Sequence, residues 1–277
     1  MVIHGATGAQ GAPVVAALTA AGRSVTALTR NPDAVVDDAR VVVAGYASTE
    51  ELTEAYRSAD GLFVHLPVVS EEDRQTYAHN IVAAVREVRP ARVVFSTSGY
   101  SIGPDTGGAA AMLVSGLADV GVSHVVIEPA MYLENLLMPY VIDTVRERGA
   151  LPYPIRADFA VSWASHLDIA DAVVALFDRP DVTGVVSVGQ YPAITGPDLA
   201  EALGVHFGKN VVFEQLTPEQ FRTSVAPLIG EGPAADVAGA YAAMSLPNRS
   251  IAPEYSAQKL LDVIPRTTAQ WLTDIGL

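Results

Sequence analysis

Three glycines fall within seven residues at the point where the chain leaves its first apolar segment. Val2-Ile3 is followed by Gly5-Ala6-Thr7-Gly8-Ala9-Gln10-Gly11, and residues 12–21 continue as an apolar helical stretch. A strand, a Gly-x-x-Gly-x-x-Gly turn and a helix in immediate succession constrain the fold strongly. They specify a parallel β-α unit whose turn lets backbone N–H groups approach a pyrophosphate, with the helix N-terminus adding roughly half a positive charge. Glycine spacing alone recurs by chance in a chain with 22 glycines, and a tight turn without a ligand is the alternative. The position between strand and helix favours the phosphate reading.

The remaining pattern repeats the rhythm. Residues 24–29, 41–44, 61–66, 92–96 and 124–128 read as strands, and 49–58 and 71–88 as helices, the first capped by Ser48 or Thr49 with Glu51 behind it. Alternating strands and helices without strict period-2 polarity indicate a parallel sheet covered on both faces. After Pro129 the rhythm weakens and prolines, among them Pro139, Pro197, Pro218 and Pro227, punctuate shorter pieces. Residues 168–177 and 197–207 read as helices, 185–188 and 211–215 as strands. The expected fold class is α/β, a doubly wound parallel Rossmann sheet with a smaller C-terminal α/β lobe. Residues 1–130 form the dinucleotide-binding domain. Residues 131–277 form mostly a substrate-binding lobe, some elements returning to the sheet.

Half the residues are apolar and 17% are charged, with a formal net charge of -14. Such a chain repels phosphodiester backbones and anionic lipid, which excludes nucleic acid and membrane surfaces as expected partners and leaves small molecules. The absence of cysteine removes disulfides, thiolate metal sites and a cysteine nucleophile. The six histidines show no ligand spacing, so no metal is expected. No apolar run approaches the roughly 18 residues of a membrane span, and no basic leader precedes Val2. A cytoplasmic protein, monomer or homodimer, is the expectation.

The end of the second strand reads Thr29-Arg30-Asn31-Pro32. An acidic side chain there would chelate the adenosine ribose and favour NAD(H). An arginine can instead pair with a 2′-phosphate, so NADP(H) is expected over NAD(H). The alternative is a plain surface arginine.

The stretches HGATGAQG and ALTRNP resemble the NmrA-like branch of the atypical short-chain dehydrogenase/reductases. Further segments agree in order: Tyr77 to Val82, Val93 to Ser98, Glu128 to Asn135, His166 to Asp171 and Thr195 to Leu203. The resemblance covers nearly the whole chain, and the collinearity of its motifs carries more weight than any one of them. It implies quinone reductase, triphenylmethane reductase or phenolic ether reductase chemistry, or a regulator that binds the dinucleotide without turnover. It also implies a cofactor-binding set of Gly5, Thr7, Gly8, Ala9, Gln10, Gly11, Arg30, His65, Leu66, Pro67, Ser96, Thr97 and Tyr132. The sequence departs from the family in four places. Residues 107–115 lack the lysine many relatives carry after the fifth strand, and Glu128 replaces an arginine. Tyr46 stands where an aspartate often contacts adenine, and His4 stands where threonine or valine is usual.

Hydride reduction of a carbonyl or quinone needs a donor beside the developing oxyanion. Ser98 and Tyr100 are the candidate catalytic residues, with Ser96 and Thr97 beside the nicotinamide. Loop capping for Ser98 and a pocket-wall role for Tyr100 remain open. Tyr255 and Lys259 have Tyr-x-x-x-Lys spacing, suited to one helix face, but lie far beyond the expected position and read as coincidence. His65 could face the nicotinamide or be a hydrogen-bonded strand-end histidine. Asp168 reads as a helix cap, and Glu71-Glu72-Asp73 as charges that suit a helix dipole. Tyr132, Leu133, Asn135 and Met138 would line an apolar substrate pocket. The expected function is an NADP(H)-dependent reductase of a small aromatic, quinone or polyketide-like ketone. The alternative is a non-catalytic NAD(P) sensor, and an epimerase is disfavoured for want of a Tyr–Lys pair at the expected place.

Overall fold

The computed structural model describes residues 1–100, 102, 107–242 and 248–277, which divide into two compact units. The first comprises Met1–Pro129, His166–Val188 and Ala252–Ile264. It is built on a seven-stranded, wholly parallel sheet containing β1 (Val2–Ile3), β2 (Thr26–Thr29), β3 (Arg40–Val43), β4 (Gly61–His65), β5 (Arg92–Ser96), β6 (His124–Pro129) and the strand Gly184–Val188. The spatial order is Gly184–Val188, β6, β5, β4, β1, β2, β3. The chain therefore winds outward from β1 in one direction and, from β4, in the other. Ile3 pairs with both Ala27 and Phe63 at this switch point. In open α/β sheets the ligand crevice lies beyond the carboxyl ends of the strands at such a point.

Period-2 alternation works on two buried faces here, as a parallel sheet requires. On β4, Leu62 and Val64 join one apolar cluster with Leu52, Ile81, Val85, Leu113 and Leu117, which come from α2 (Thr49–Tyr56), α3 (Glu71–Val88) and α4 (Ala109–Val120). Phe63, between them, is buried outside that cluster. Helix α1 (Gly11–Ala20) packs beside the helix His166–Asp178. Ser48 caps α2 as expected, accepting from the Glu51 amide at 3.1 Å. Glu51 does not complete a capping box; its carboxylate accepts the Gly45 amide at 2.8 Å and ties down the β3–α2 turn. Asp168 is not the residue that precedes its helix. The helix starts at His166, and Asp168 lies fully buried in its first turn, where a carboxylate still suits the dipole.

The second unit comprises Ala130–Ser165, Gly189–Ile251 and Pro265–Leu277. It contains short parallel pairs, Met131–Tyr132 with Trp163–Ala164 and Ala150–Tyr153 with Val212–Gln215, and the helices Pro139–Arg148, Gly196–Phe207, Pro218–Ile229, Glu231–Ala242 and Thr268–Asp274. The prolines that punctuate the sequence have a local cause. Pro139, Pro197 and Pro218 occupy opening turns of helices, where a missing N–H is no loss, although Pro227 lies inside one. Its core contains Trp163, Trp271, Tyr153 and Leu133. Leu133, expected in a pocket wall, is fully buried in that core. Among the described residues no helix is long and apolar enough to cross a membrane.

Candidate functional site

The turn after β1 is shaped by two glycines whose Cβ positions are occupied. Gly5 has φ +55°, and a Cβ on it would lie 2.5 Å from Nε2 of His65. A Cβ on Gly11 would meet the Gly5 carbonyl oxygen at 2.2 Å, so the first residue of α1 rests directly on the turn. Gly8 is less constrained, its nearest such contact being 3.1 Å. The left-handed conformation is thus needed at Gly5, and close approach at Gly11. Within the turn, the Gly8 amide donates to the Gly5 carbonyl at 2.8 Å. The amides of Thr7, Ala9, Gln10 and Gly11 find no acceptor among the described residues. The first turn of α1 carries no acidic side chain. Unpaired amides at a helix start without a local carboxylate form an anion-binding concavity.

Gly5, Thr7, Gly8, Arg30, Tyr46, His65 and Pro67 border one cleft of about 300 Å³. The backbone around Arg30 is held on both sides. Thr29 Oγ1 lies 3.3 Å from Thr7 Oγ1 and accepts the Asn31 amide at 3.2 Å, while Asn31 Oδ1 accepts the Asp33 amide at 3.0 Å. Arg30 itself is exposed and has no hydrogen-bond or ion-pair partner among the described residues. Most other arginines of the first unit do have one: Arg23 pairs with Asp178, Arg57 with Glu54 and Arg74 with Glu71.

A buried polar cluster underlies the cleft. His4 Nε2 is hydrogen-bonded to the Tyr56 hydroxyl at 2.7 Å, and the His4 ring meets Tyr46 edge-on at 5.1 Å. Tyr46 stacks on Tyr77 with centroids 5.4 Å apart. Burial depresses the His4 imidazole to about 3, with the neighbouring His65 acting in the same direction. Burial also pushes His65 below its ordinary value, partly offset by backbone hydrogen bonds with Leu66 and His4. Burial raises the Tyr46 phenol despite the opposing field of Arg30. The Tyr46 hydroxyl and His65 Nε2 are enclosed without a hydrogen-bond partner among the described residues. Both rings are therefore held neutral, with polar atoms unused by the protein at the cleft wall.

The end of β5 carries the other predicted residues. Ser96 and Thr97 are buried, and Thr97 Oγ1 has no hydrogen-bond partner among the described residues. Ser98 adopts φ +55°, in the left-handed region. The Gln10 side-chain amide donates to the Ser98 hydroxyl at 3.2 Å, leaving the Ser98 proton available to another acceptor. Tyr100 is 40% exposed. Of the other predicted residues, Leu66 is buried in the apolar cluster of the first unit, and Tyr132 belongs to the second unit. The Tyr255–Lys259 spacing does not form a helix face. Tyr255 ends the short turn Pro253–Tyr255 and Lys259 lies in Ala257–Leu261, so Ser256, which caps the second, separates them. Sequence reading missed Arg74, which lies beneath Tyr100, and gave Glu71 too little to do.

A sequence model of the NAD(P)H-binding family matches residues 5–126. No curated protein sequence matches the chain. Among solved structures, a nucleoside-diphosphate-sugar epimerase of Staphylococcus aureus aligns with TM-score 0.81 at 21% identity, covering 98% of each chain. An NADPH-dependent quinone oxidoreductase of Escherichia coli, solved with NADPH, aligns with TM-score 0.80 at 20% identity over 99% of each chain. The triphenylmethane reductase of a Citrobacter species, solved with NADP(H), aligns with TM-score 0.80 at 20% identity over 97% of each chain. At such identities these neighbours speak for the fold. Residues 5–126 thus match the NAD(P)H-binding family, and the chain shares the fold of these three neighbours.

Proposed function

We propose that the protein is an NADP(H)-dependent reductase of a small aromatic, quinone or polyketide-like ketone. The reading rests on Arg30, a cation at the rim of the glycine-turn cleft that has no hydrogen-bond or ion-pair partner among the described residues. In this reading the amides of Thr7, Ala9, Gln10 and Gly11 hold the diphosphate. Arg30 pairs with the 2′-phosphate in a charge-assisted fork, and Tyr46 and His65 offer their unpartnered polar atoms to the cofactor. Bound there, the reduced nicotinamide supplies hydride. Ser96 and Thr97 border its site.

Ser98 is the better placed donor to a developing oxyanion. Its oxygen already accepts from Gln10, so its own proton is directed elsewhere. Tyr100 supplies a second hydroxyl. Helix α4 contains no lysine, so protonation of the product is left to these hydroxyls or to water. That same absence favours a second reading, a non-catalytic NAD(P) sensor controlling another protein. Calorimetric titration with NADPH and NADH, followed by assay with a 1,4-naphthoquinone, separates the two. The reductase oxidises NADPH, whereas the sensor binds it and consumes none. Failure to bind either coenzyme overturns both.

A further inference from the structure

Outside the residues used above, one buried charge stands out. Arg74, in the opening turn of α3, is only 3% exposed. A guanidinium withdrawn from water needs close partners, and Arg74 has two of different kinds. Its Nη1 lies 3.2 Å from a Glu71 oxygen, and its guanidinium carbon sits 3.6 Å from the centroid of the Tyr100 ring. Among the described residues Nε has no hydrogen-bond partner, so the contact with the ring is a large share of what holds the group in place. The other Glu71 oxygen accepts the amide of Ala109, the first residue of α4, at 2.6 Å. One turn of α3 thereby grips two points, Tyr100 just after β5 and the start of α4.

We infer that Arg74 is the positioning residue for Tyr100: its guanidinium stacks on the phenol ring and fixes where the hydroxyl points. An ion pair serving stability alone has no need of an aromatic cover. Tyr100 covers one side of the guanidinium while remaining open enough to solvent to meet a ligand. The planar fork of arginine suits this stack, whereas the point charge of lysine does not. The use made of Tyr100 rests on the reductase reading; the contact itself does not.

The test places 3-fluorotyrosine at position 100 and follows its fluorine resonance together with naphthoquinone reduction and NADPH affinity. In Arg74→Met the resonance moves and kcat falls by about tenfold or more, as expected when a reacting group is misplaced, while NADPH affinity is retained. Arg74→Lys, the gentler change should the methionine variant not fold, restores only part of kcat. Adding Tyr100→Phe to Arg74→Met causes no further loss. An unmoved resonance overturns the inference, and so does a moved resonance with unchanged kcat, which reduces the contact to a structural one. If the wild-type chain reduces no quinone, the reductase reading fails and the resonance alone decides whether Arg74 orients Tyr100.

Discussion

The Gln10 side-chain amide donates to the Ser98 hydroxyl at 3.2 Å, joining the turn after β1 to the loop after β5 across 88 positions of sequence. A residue of the phosphate-type turn therefore sets the hydrogen-bonding state of the candidate donor. The two segments are joined through one side-chain amide.

The coupling has a kinetic consequence. Ser98→Ala combined with Tyr100→Phe should lower kcat by about 10²-fold, the scale of losing an oxyanion donor. Gln10→Ala alone should give a smaller loss that does not add to that of Ser98→Ala. Steady-state kinetics at saturating NADPH decide this. Unchanged kcat in the double variant removes both hydroxyls from the mechanism.

Arg30→Ala should weaken NADPH binding by about ten- to a hundredfold, since a hydrogen bond to a charged group contributes about 1.5–3 kcal/mol. NADH, lacking the 2′-phosphate, should bind nearly as before. Calorimetry of both coenzymes measures the difference. Equal losses would defeat the assignment to NADP(H).

Gly5→Ala forces a side chain into the left-handed region and against His65. The conformation alone costs about 1–2 kcal/mol, and the clash at 2.5 Å must also be relieved. Reduced urea stability with NADPH affinity lost is the expected pair of results. Retained affinity would show that the turn adapts and that its geometry is not specific.

His4 gives a pH dependence of defined sign. Its folded-state value of about 3 lies below the ordinary 6.5, so the unfolded chain takes up the proton first as pH falls. The stability carried by neutral His4 is complete above 6.5, erodes between 6.5 and about 3, and is gone below. The slope approaches about 1.4 kcal/mol per pH unit for the one proton, and His65 acts in the same direction. Urea unfolding from pH 7 to pH 4 should be visibly less pH-dependent in His4→Gln. Parallel curves for the two proteins would show that His4 is not withdrawn from the proton.

Much of the first unit was legible because its signals are local. Residues 71–88 and 92–96 carry helix and strand patterns that the structure reproduces to the residue, with Ser70 capping the former. The second unit was read less completely. Its strands are mostly two to four residues long, too short for any period to show, and pairs such as Met131–Tyr132 with Trp163–Ala164 exist only through partners some thirty residues away.

The amino-acid sequence by itself determined the β-α-β rhythm, the glycine turn and the arginine at the end of β2, because each depends on residues within a few positions. Only the tertiary structure decided that Gly5 must accommodate His65, that Glu51 ties down Gly45 and not Ser48, that Gln10 reaches Ser98 and that Arg74 lies under Tyr100. The physical reason is common to all four. Side-chain direction and the bringing together of strand ends follow from how helices pack on the sheet, and no local propensity records that.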